Sequence, residues 1–199
     1  MAETPDRPHR TGFFWLDFLV AASAVIISLI SLWVAQRSDS AQERLLAAST
    51  WPYVTFYTSN VLPDHRREIQ LAFKNSGVGP AKVRWVTVSY RGKTYVHHGD
   101  LLKACCNTEG LSQLMGRTIN SSVTHTVLVP HEAVSFLAVD RTAANAVAYQ
   151  ALNDSLRELH VDACYCSVLD DCWMVHNHTE EDPKPVSNCP PIPADAFQD

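Results

Sequence analysis

One apolar run near the start of the chain constrains its structure more than any other feature. It reads FFWLDFLVAASAVIISLISLWV, from Phe13 to Val34, and contains a single charged side chain, Asp17, close to its beginning. As an α-helix the run is about 33 Å long, enough to cross a hydrocarbon core of about 30 Å. Trp15 and Trp33 lie near its ends, where indole rings favour the membrane interface. We therefore predict one transmembrane helix over residues 13–34.

An uncleaved signal anchor explains this run better than a cleaved signal peptide or a buried helix of a soluble protein does. The apolar core of a signal peptide has about 7–15 residues and precedes a small-residue cleavage site, whereas Gln36, Arg37 and Asp39 follow this run. Its apolar side chains cover every face, unlike those of an amphipathic helix. Residues 35–50 contain no Gly or Pro, so we expect a helical stalk that ends before Pro52.

The cysteines indicate the orientation of the span more clearly than the flanking charges do. Arg7 and Arg10 precede the run, and Arg37 and Arg44 follow it, which is a near tie under the positive-inside rule. All six cysteines lie downstream of the run, and disulfides persist in oxidising compartments. We expect a single-pass protein of the inner (cytoplasmic) membrane. Residues 1–12 form its short cytoplasmic tail, and the C-terminal domain is periplasmic or otherwise extracytoplasmic.

After residue 51 the hydrophobic period changes to two, which is typical of β-strands. In residues 68–74, for example, Ile69, Leu71 and Phe73 alternate with polar side chains. The longest predicted strand changes phase near Arg84, which indicates a bulge. Strands are predicted over residues 53–58, 68–74, 81–90, 93–97, 123–129, 133–139, 161–168 and 172–176.

Helix-forming residues interrupt the strands briefly at residues 108–115 and more strongly at residues 142–159. About eight short strands with one inserted helix indicate an antiparallel β-sandwich over residues 51–178. Residues 179–199 form an acidic, proline-rich tail, of a composition that is often only partly ordered. The predicted fold class is therefore mainly β, with an N-terminal transmembrane helix followed by the sandwich.

The segment NSGVGPA at residues 75–81 resembles the strand–turn–strand corner of bacterial immunoglobulin-like surface domains, which often reads N-x-G-x-G-x-A. Asn75, Gly77 and Gly79 can take positive φ angles, and Pro80 can begin the next strand at a position that needs no amide donor. We expect these four residues to form a structural turn.

The segment LVPHE at residues 128–132 is similar to a later strand entry of the same domains, L-x-P-x-E, with His131 in place of the usual glycine. The two resemblances imply a single-pass bacterial envelope protein with an immunoglobulin-like β-sandwich, from a family of unknown function. Such sandwiches usually bind or scaffold other molecules, and the fold alone does not determine which.

The cysteines are expected to form disulfides. The candidates are Cys105, Cys106, Cys164, Cys166, Cys172 and Cys189. Cys166 and Cys172 flank a predicted hairpin and are the preferred pair. Each unstrained bridge stabilises the fold by roughly 2–4 kcal/mol.

The remaining cysteines leave several pairings open. Cys105 and Cys106 are adjacent, and we expect them to seek separate partners. Either Cys164 or one of these two is expected to bond to Cys189, which would fasten the tail to the sandwich. Buried free thiols are a further alternative.

A metal-binding or thiol-redox site is the competing interpretation of the same region. Thiolate and imidazole ligands together suit zinc or copper, and Cys164, Cys166 and Cys172 are followed by His176 and His178. The sequence has no C-x-x-C pair and no ligand spacing typical of zinc fingers. No bound cofactor is therefore expected.

The sequence favours a binding function over catalysis. It contains no nucleophile elbow, P-loop, zinc-protease motif or calcium loop, and Asp170-Asp171 fits a hairpin turn better than a catalytic pair. A net charge of −5 argues against a nucleic-acid partner. We expect contacts with the membrane and with another envelope protein, a ligand or a second copy. A membrane-linked sensor or effector that oligomerises is the remaining alternative.

Overall fold

The computed structural model describes residues 14–62, 64–177 and 182–198, and the chain divides into two compact units, residues 1–46 and 47–199. A single helix, α1 (Phe14–Ser49), runs through the predicted span and the predicted stalk. Among the described residues it is the one helix long and apolar enough, by length and composition, to cross a membrane. The guanidinium of Arg37 lies 4.1 Å from the ring centroid of Trp33, a cation–π contact at the end of the apolar run.

Ten strands build two antiparallel sheets within the described part of the second unit. They are β1 (Val54–Ser59), β2 (Glu68–Asn75), β3 (Ala81–Tyr90), β4 (Lys93–Tyr95), β5 (Thr118–Asn120), β6 (Val127–Leu128), β7 (Ala133–Asp140), β8 (Leu159–Cys166), β9 (Cys172–His176) and β10 (Lys184–Val186). The first sheet has the order β1-β2-β7-β5. The second has the order β10-β9-β8-β3-β4, and β6 also pairs with β3.

Three short helices accompany the sheets: α2 (His98–Cys106), α3 (Leu111–Met115) and α4 (Ala146–Ser155), the last continued by a 3₁₀ turn (Leu156–Glu158). With α1 they make the chain mixed, about 31% strand and 34% helix. The expectation of a mainly β chain with one inserted helix therefore overstates the strands. The helix predicted over residues 142–159 is shorter in the structure, because Leu159 already pairs with Tyr90 in the β8–β3 ladder.

One hydrophobic core takes side chains from both sheets, including Phe73 and Phe136 of the first and Tyr165 of the second. The ring centroids of Phe73 and Phe136 are 5.7 Å apart. The hydroxyl oxygen of Tyr165 accepts a hydrogen bond from the backbone N–H of Val54 at 3.3 Å, which links the two sheets. Burial raises the pKa of Tyr165 above its ordinary value. The bulge predicted near Arg84 is confirmed, because the β3–β8 register shifts between Val83 and Trp85.

The corner at residues 75–81 is organised by the fully buried amide of Asn75. Its Oδ1 accepts hydrogen bonds from the backbone N–H groups of Tyr53 and Gly77, and its Nδ2 donates to the carbonyls of Gly79 and Leu128. These four bonds tie the first sheet to the start of the second, so the side chain of Asn75 organises the corner.

The expected positive φ angles are wrong for this corner. Among described residues with positive φ are His131, at 65°, and Gly92, but not Asn75, Gly77 or Gly79. Glycine is required at 77 and 79 for another reason: a Cβ there would collide with the backbone of residues 50–53. In the LVPHE segment, by contrast, His131 takes the left-handed conformation that suits glycine.

Candidate functional site

The C-terminal tail crosses the outer face of the second sheet from one edge to the other. It begins as β10, which pairs with the edge strand β9. Cys189 then bonds to Cys164 of β8, and the indole Nε1 of Trp85 on β3 donates to the carbonyl of Pro190 at 3.1 Å. This segment is therefore docked on the domain, and the expectation of a partly ordered tail does not describe residues 182–198.

A second, small hydrophobic core lies beneath the tail. Alternation along β8 places Tyr165 in the main core and its neighbours Cys164 and Cys166 on the opposite face. The small core consists of Trp85, Cys164, Ala196, Met174, Val186 and Cys189. The outer face of the second sheet is thus partly buried by this chain's own tail.

The last described residues occupy a gap along the edge of β3. Strand β6 pairs with the first residues of β3 and β4 with the last. In the interval between them, the N–H of Phe197 donates to the carbonyl of Val86 at 2.8 Å, and the N–H of Gln198 donates to the carbonyl of Val96 at 2.7 Å. The ring of Phe197 enters the main core, where its centroid lies 5.5 Å from that of Phe136.

Two side chains bind the carbonyls of the same two tail residues. The hydroxyl of Thr124 donates to the carbonyl of Phe197 at 3.2 Å, and Nδ1 of His97 lies 2.8 Å from the carbonyl oxygen of Gln198. We call the group formed by Val86, Val96, His97, Thr124 and Phe136 the tail seat. It binds two successive residues through their backbone and buries one aromatic ring.

An open cleft of about 670 Å³ adjoins the tail seat. Its lining residues are His97, Asn120, Ser122, Thr124, His125, Ile192, Ala196, Phe197 and Gln198. Hydroxyl, amide and imidazole groups thus converge beside three apolar tail residues, Ile192, Ala196 and Phe197. This combination of a concave apolar surface with a few hydrogen-bonding groups is typical of ligand-binding sites. We call it the tail cleft.

All six cysteines are paired in the structure, as Cys105–Cys106, Cys164–Cys189 and Cys166–Cys172. The expectation that Cys105 and Cys106 seek separate partners is wrong, because these neighbours bond to each other at the end of α2. Cys106 is buried in the main core. In the other two pairs, Cys164, Cys166 and Cys172 lie on the outer face of β8 and β9, and Cys189 lies in the tail.

The two disulfides beneath the tail are in contact. Sγ of Cys166 lies 3.6 Å from Sγ of Cys189, although each bonds to another cysteine. The sulfur atoms of Cys166, Cys172 and Cys189 all lie within 4.8 Å of one another, so their reduced thiolates could hold a soft metal ion. The same three cysteines form part of the lining of a cleft of about 490 Å³.

The predicted cysteine–histidine metal set is not assembled. His176 lies four residues beyond Cys172 on β9, about 13 Å along an extended strand, and its Nδ1 is 2.6 Å from Oδ1 of Asp162. His178 lies outside the described residues. Any site formed by reduction would therefore use Cys189 of the tail, which the sequence had not suggested as a ligand.

The hairpin between β8 and β9 uses its acidic residues structurally. Asp170 takes a positive φ of 65°, and the backbone carbonyl of Asp171 accepts the N–H of Ser167 at 2.7 Å. Nζ of Lys82 donates to Oδ1 of Asp170 at 2.5 Å, and this contact holds the pKa of Asp170 below its ordinary value. Asp170 therefore links the hairpin to β3 through its side chain, and Asp171 takes part in the turn through its backbone carbonyl.

Residues 15–180 match the family described as Domain of unknown function (DUF8453). The chain belongs to this family. The matched residues include most of α1 and strands β1 to β9, so the DUF8453 match covers both the apolar helix and the two sheets. Searches of curated proteins and of solved structures found no similar chain.

The docked tail lies beyond the residues that match DUF8453. The match ends at residue 180, whereas Cys189, Ala196 and Phe197 complete the disulfide and both cores. Sequence reasoning expected Cys189 to fasten the tail, with Cys164 as one of its possible partners, but it missed that Ala196 and Phe197 enter the two cores. The available signal was its few apolar side chains, Ile192, Ala196 and Phe197, which a fully solvated tail would not need.

Proposed function

We propose that this protein is a single-pass, membrane-anchored binding protein whose two-sheet domain lies in the extracytoplasmic space, with the N-terminus in the cytoplasm. In this proposal the domain is an immunoglobulin-like sandwich, and its binding site is the tail cleft with the adjoining tail seat. The observation that carries the proposal is the tail seat itself, because it already binds an extended segment through backbone hydrogen bonds and an aromatic pocket.

The compartment is supported by the cysteines and the span together. Three disulfides use all six cysteines, and disulfides of this number are rare in reducing compartments. Helix α1 supplies a segment of suitable length and composition to anchor the domain at a membrane. In this proposal residues 47–199 form the exported unit, and the chain before α1 remains on the cytoplasmic side.

The binding role is supported by the groups that converge at the tail cleft. Asn120, Ser122 and Gln198 can donate or accept hydrogen bonds, and Ile192 supplies an exposed apolar surface. No catalytic step is required of these groups. The proposed partner is another envelope protein or a ligand that enters this cleft.

Photo-crosslinking in intact cells tests the proposal. A benzophenone amino acid is placed at Ser122 inside the tail cleft, and a matched control is placed at Lys74, which is exposed on β2. We expect a discrete crosslinked product from position 122 and no such product from position 74. The product from position 122 should be lost when the outer membrane is opened and the periplasmic contents are removed. Equal products from both positions, or none from position 122, would contradict the proposal.

A thiol–disulfide exchange function is the second candidate, because Sγ of Cys166 lies 3.6 Å from Sγ of Cys189. An external dithiol that opens Cys166–Cys172 would leave a Cys166 thiolate beside the second disulfide. Attack on Cys189 would form Cys166–Cys189 and release Cys164 as the thiolate. Limiting dithiothreitol followed by mass spectrometry tests this: a Cys166–Cys189 linked peptide supports exchange, and stepwise loss of the two original pairs contradicts it.

A further inference from the structure

We propose that the tail seat is the binding groove for an extended peptide of a partner protein, and that this chain's residues 190–198 are a tethered occupant of the same groove. The peptide carries a small residue followed by an aromatic residue and a polar residue, as in Ala196-Phe197-Gln198. The inference deepens the proposed function and rests on it, since it names the chemistry of the partner at the same site.

Recognition of the backbone in this groove is independent of sequence. The N–H groups of Phe197 and Gln198 donate to the carbonyls of Val86 and Val96, and their own carbonyls accept from Thr124 and His97. All four backbone polar groups of these two residues are therefore bound. An extended segment that adds to an exposed sheet edge in this way gains its affinity from main-chain hydrogen bonds.

Selectivity comes from two buried side-chain positions. The side chain of Phe197 is 5% exposed and packs on Phe136, so this position requires a flat apolar ring. Ala196 is 2% exposed and lies in the small core beside Trp85, where a larger side chain would displace the tail. Gln198 is exposed and lines the tail cleft, so a partner's next residues would continue into that cleft.

Two features of the tail are typical of a tethered segment that occupies a binding groove of its own chain. It lies beyond the residues that match the family, and it is fastened by the Cys164–Cys189 disulfide, from which Phe197 is eight positions away. A short tether of this kind keeps its own segment at an effective concentration of about millimolar. A free peptide therefore binds weakly to the intact chain and more tightly when the tail's aromatic anchor is removed.

Peptide binding to the full chain in detergent micelles tests the inference. The probe is a fluorescein-labelled peptide, PPIPADAFQ, with the sequence of residues 190–198, and the matched control peptide has alanine in place of phenylalanine. Three full-length proteins are compared: the wild type, Phe197→Ala, and Ser187→Ala as an exposed tail control. We expect the Phe197→Ala protein to bind the probe at least tenfold more tightly than the wild type and the Ser187→Ala protein do. It should show no binding of the control peptide. Equal binding of the two peptides, or no binding by a folded Phe197→Ala chain, overturns the inference.

Hydrogen exchange of the wild type gives a test that does not depend on a variant's folding. If the tail is an exchangeable occupant, the amides of Phe197 and Gln198 exchange at least tenfold faster than those of Ala163 and Tyr165 in β8. Exchange of all four at one rate overturns the inference, because the tail then opens only with the whole domain. A wild-type dimer joined by Cys164–Cys189 between chains also overturns it, since the occupant is then a second copy.

The experiments distinguish failure of the proposed binding function from failure of the proposed peptide groove. A partner crosslinked from Ser122 without peptide binding in the tail seat retains the proposed function and rejects the peptide class. If the peptide binds but no partner is crosslinked in cells, the claim that the tail seat binds such peptides stands, and the proposed function in cells is contradicted.

Discussion

The ring of Phe197 packs edge-on against the ring of Phe136, with centroids 5.5 Å apart and an interplanar angle of 68°. A residue near the end of the chain thus completes a core built by residues far from it in sequence. Phe197→Ala removes this ring. We expect it to lower the free energy of unfolding by about 3–5 kcal/mol, the range for truncating a buried phenylalanine.

Chemical denaturation checks this value, with Ile192→Ala as the control. Ile192 belongs to the same tail, but its side chain is 53% exposed, so its truncation should change stability by no more than about 0.5 kcal/mol. Equal effects of the two substitutions would show that Phe197 is not anchored in the core.

Asn75→Ala tests the hydrogen-bonded corner. The substitution leaves the N–H groups of Tyr53 and Gly77 and the carbonyls of Gly79 and Leu128 without their partner. Because an unsatisfied buried polar group costs about 1–3 kcal/mol, we expect a loss of roughly 3 kcal/mol or more in denaturant unfolding. The exposed Asn60→Ala is the control, and a comparable loss there would argue against a special role for Asn75.

Gly79→Ala tests close backbone approach at the same corner. A Cβ at this position would overlap the backbone of Thr50, whereas a Cβ at Gly99 in α2 would meet only the terminal methyl group of Met115, at 3.3 Å. We expect Gly79→Ala to lower the melting temperature strongly, by the equivalent of more than about 2 kcal/mol. Gly99→Ala should be neutral or slightly stabilising, since alanine favours helix. Tolerance of alanine at 79 would contradict the packing described.

The three disulfides should differ in their effect on stability according to the loops that they close. Cys105–Cys106 closes no loop beyond adjacent residues, whereas Cys164–Cys189 has a sequence separation of 25. The chain-entropy account gives about 3.5 kcal/mol for a loop of that size. Urea unfolding of the paired alanine variants should therefore show a large loss for 164/189 and a small one for 105/106, and the reverse order would contradict this account.

Acid should weaken the β8–β9 hairpin through Asp170. Its pKa is lowered first by the hydrogen bond from Lys82. A carboxyl with a lowered folded pKa stabilises the fold above its unfolded pKa, about 3.9, and this contribution is lost as pH falls through the folded pKa. Thermal melts between pH 5 and pH 3 should show a smaller decline for Asp170→Asn than for the wild type. Glu109→Gln, in an exposed loop, should decline like the wild type, and identical slopes for all three would contradict the ion pair's role.

Local pattern was enough to predict much of the framework. Ile69, Leu71 and Phe73 alternate in the sequence and are all buried in β2, and the phase change near Arg84 marks the β3 bulge. The helix α2 was missed because HGDLLKACC contains Gly99 and begins without a side-chain cap. Its burial of Leu101 and Leu102 supplies the stabilisation that local propensity lacks.

The candidate site was less accessible to sequence reasoning because it depends on distant contacts. Phe197 and Val86 are separated by most of the domain, and no periodicity links a tail residue to the open edge of a strand. The glycines of the corner were noticed from their motif, yet their reason is the approach of residues 50–53 and not a positive φ. Adjacent Cys105 and Cys106 were misjudged because the sequence does not show that the other four cysteines lie together.

The state of the cysteines in the protein's own membrane tests the central claim most directly. Intact cells are treated with a membrane-permeant alkylating reagent, and the chain is purified from the membrane fraction and digested without reduction for mass spectrometry. The account predicts no alkylated cysteine and the linked pairs 105–106, 164–189 and 166–172. Six alkylated cysteines would place the domain in a reducing compartment and contradict the account.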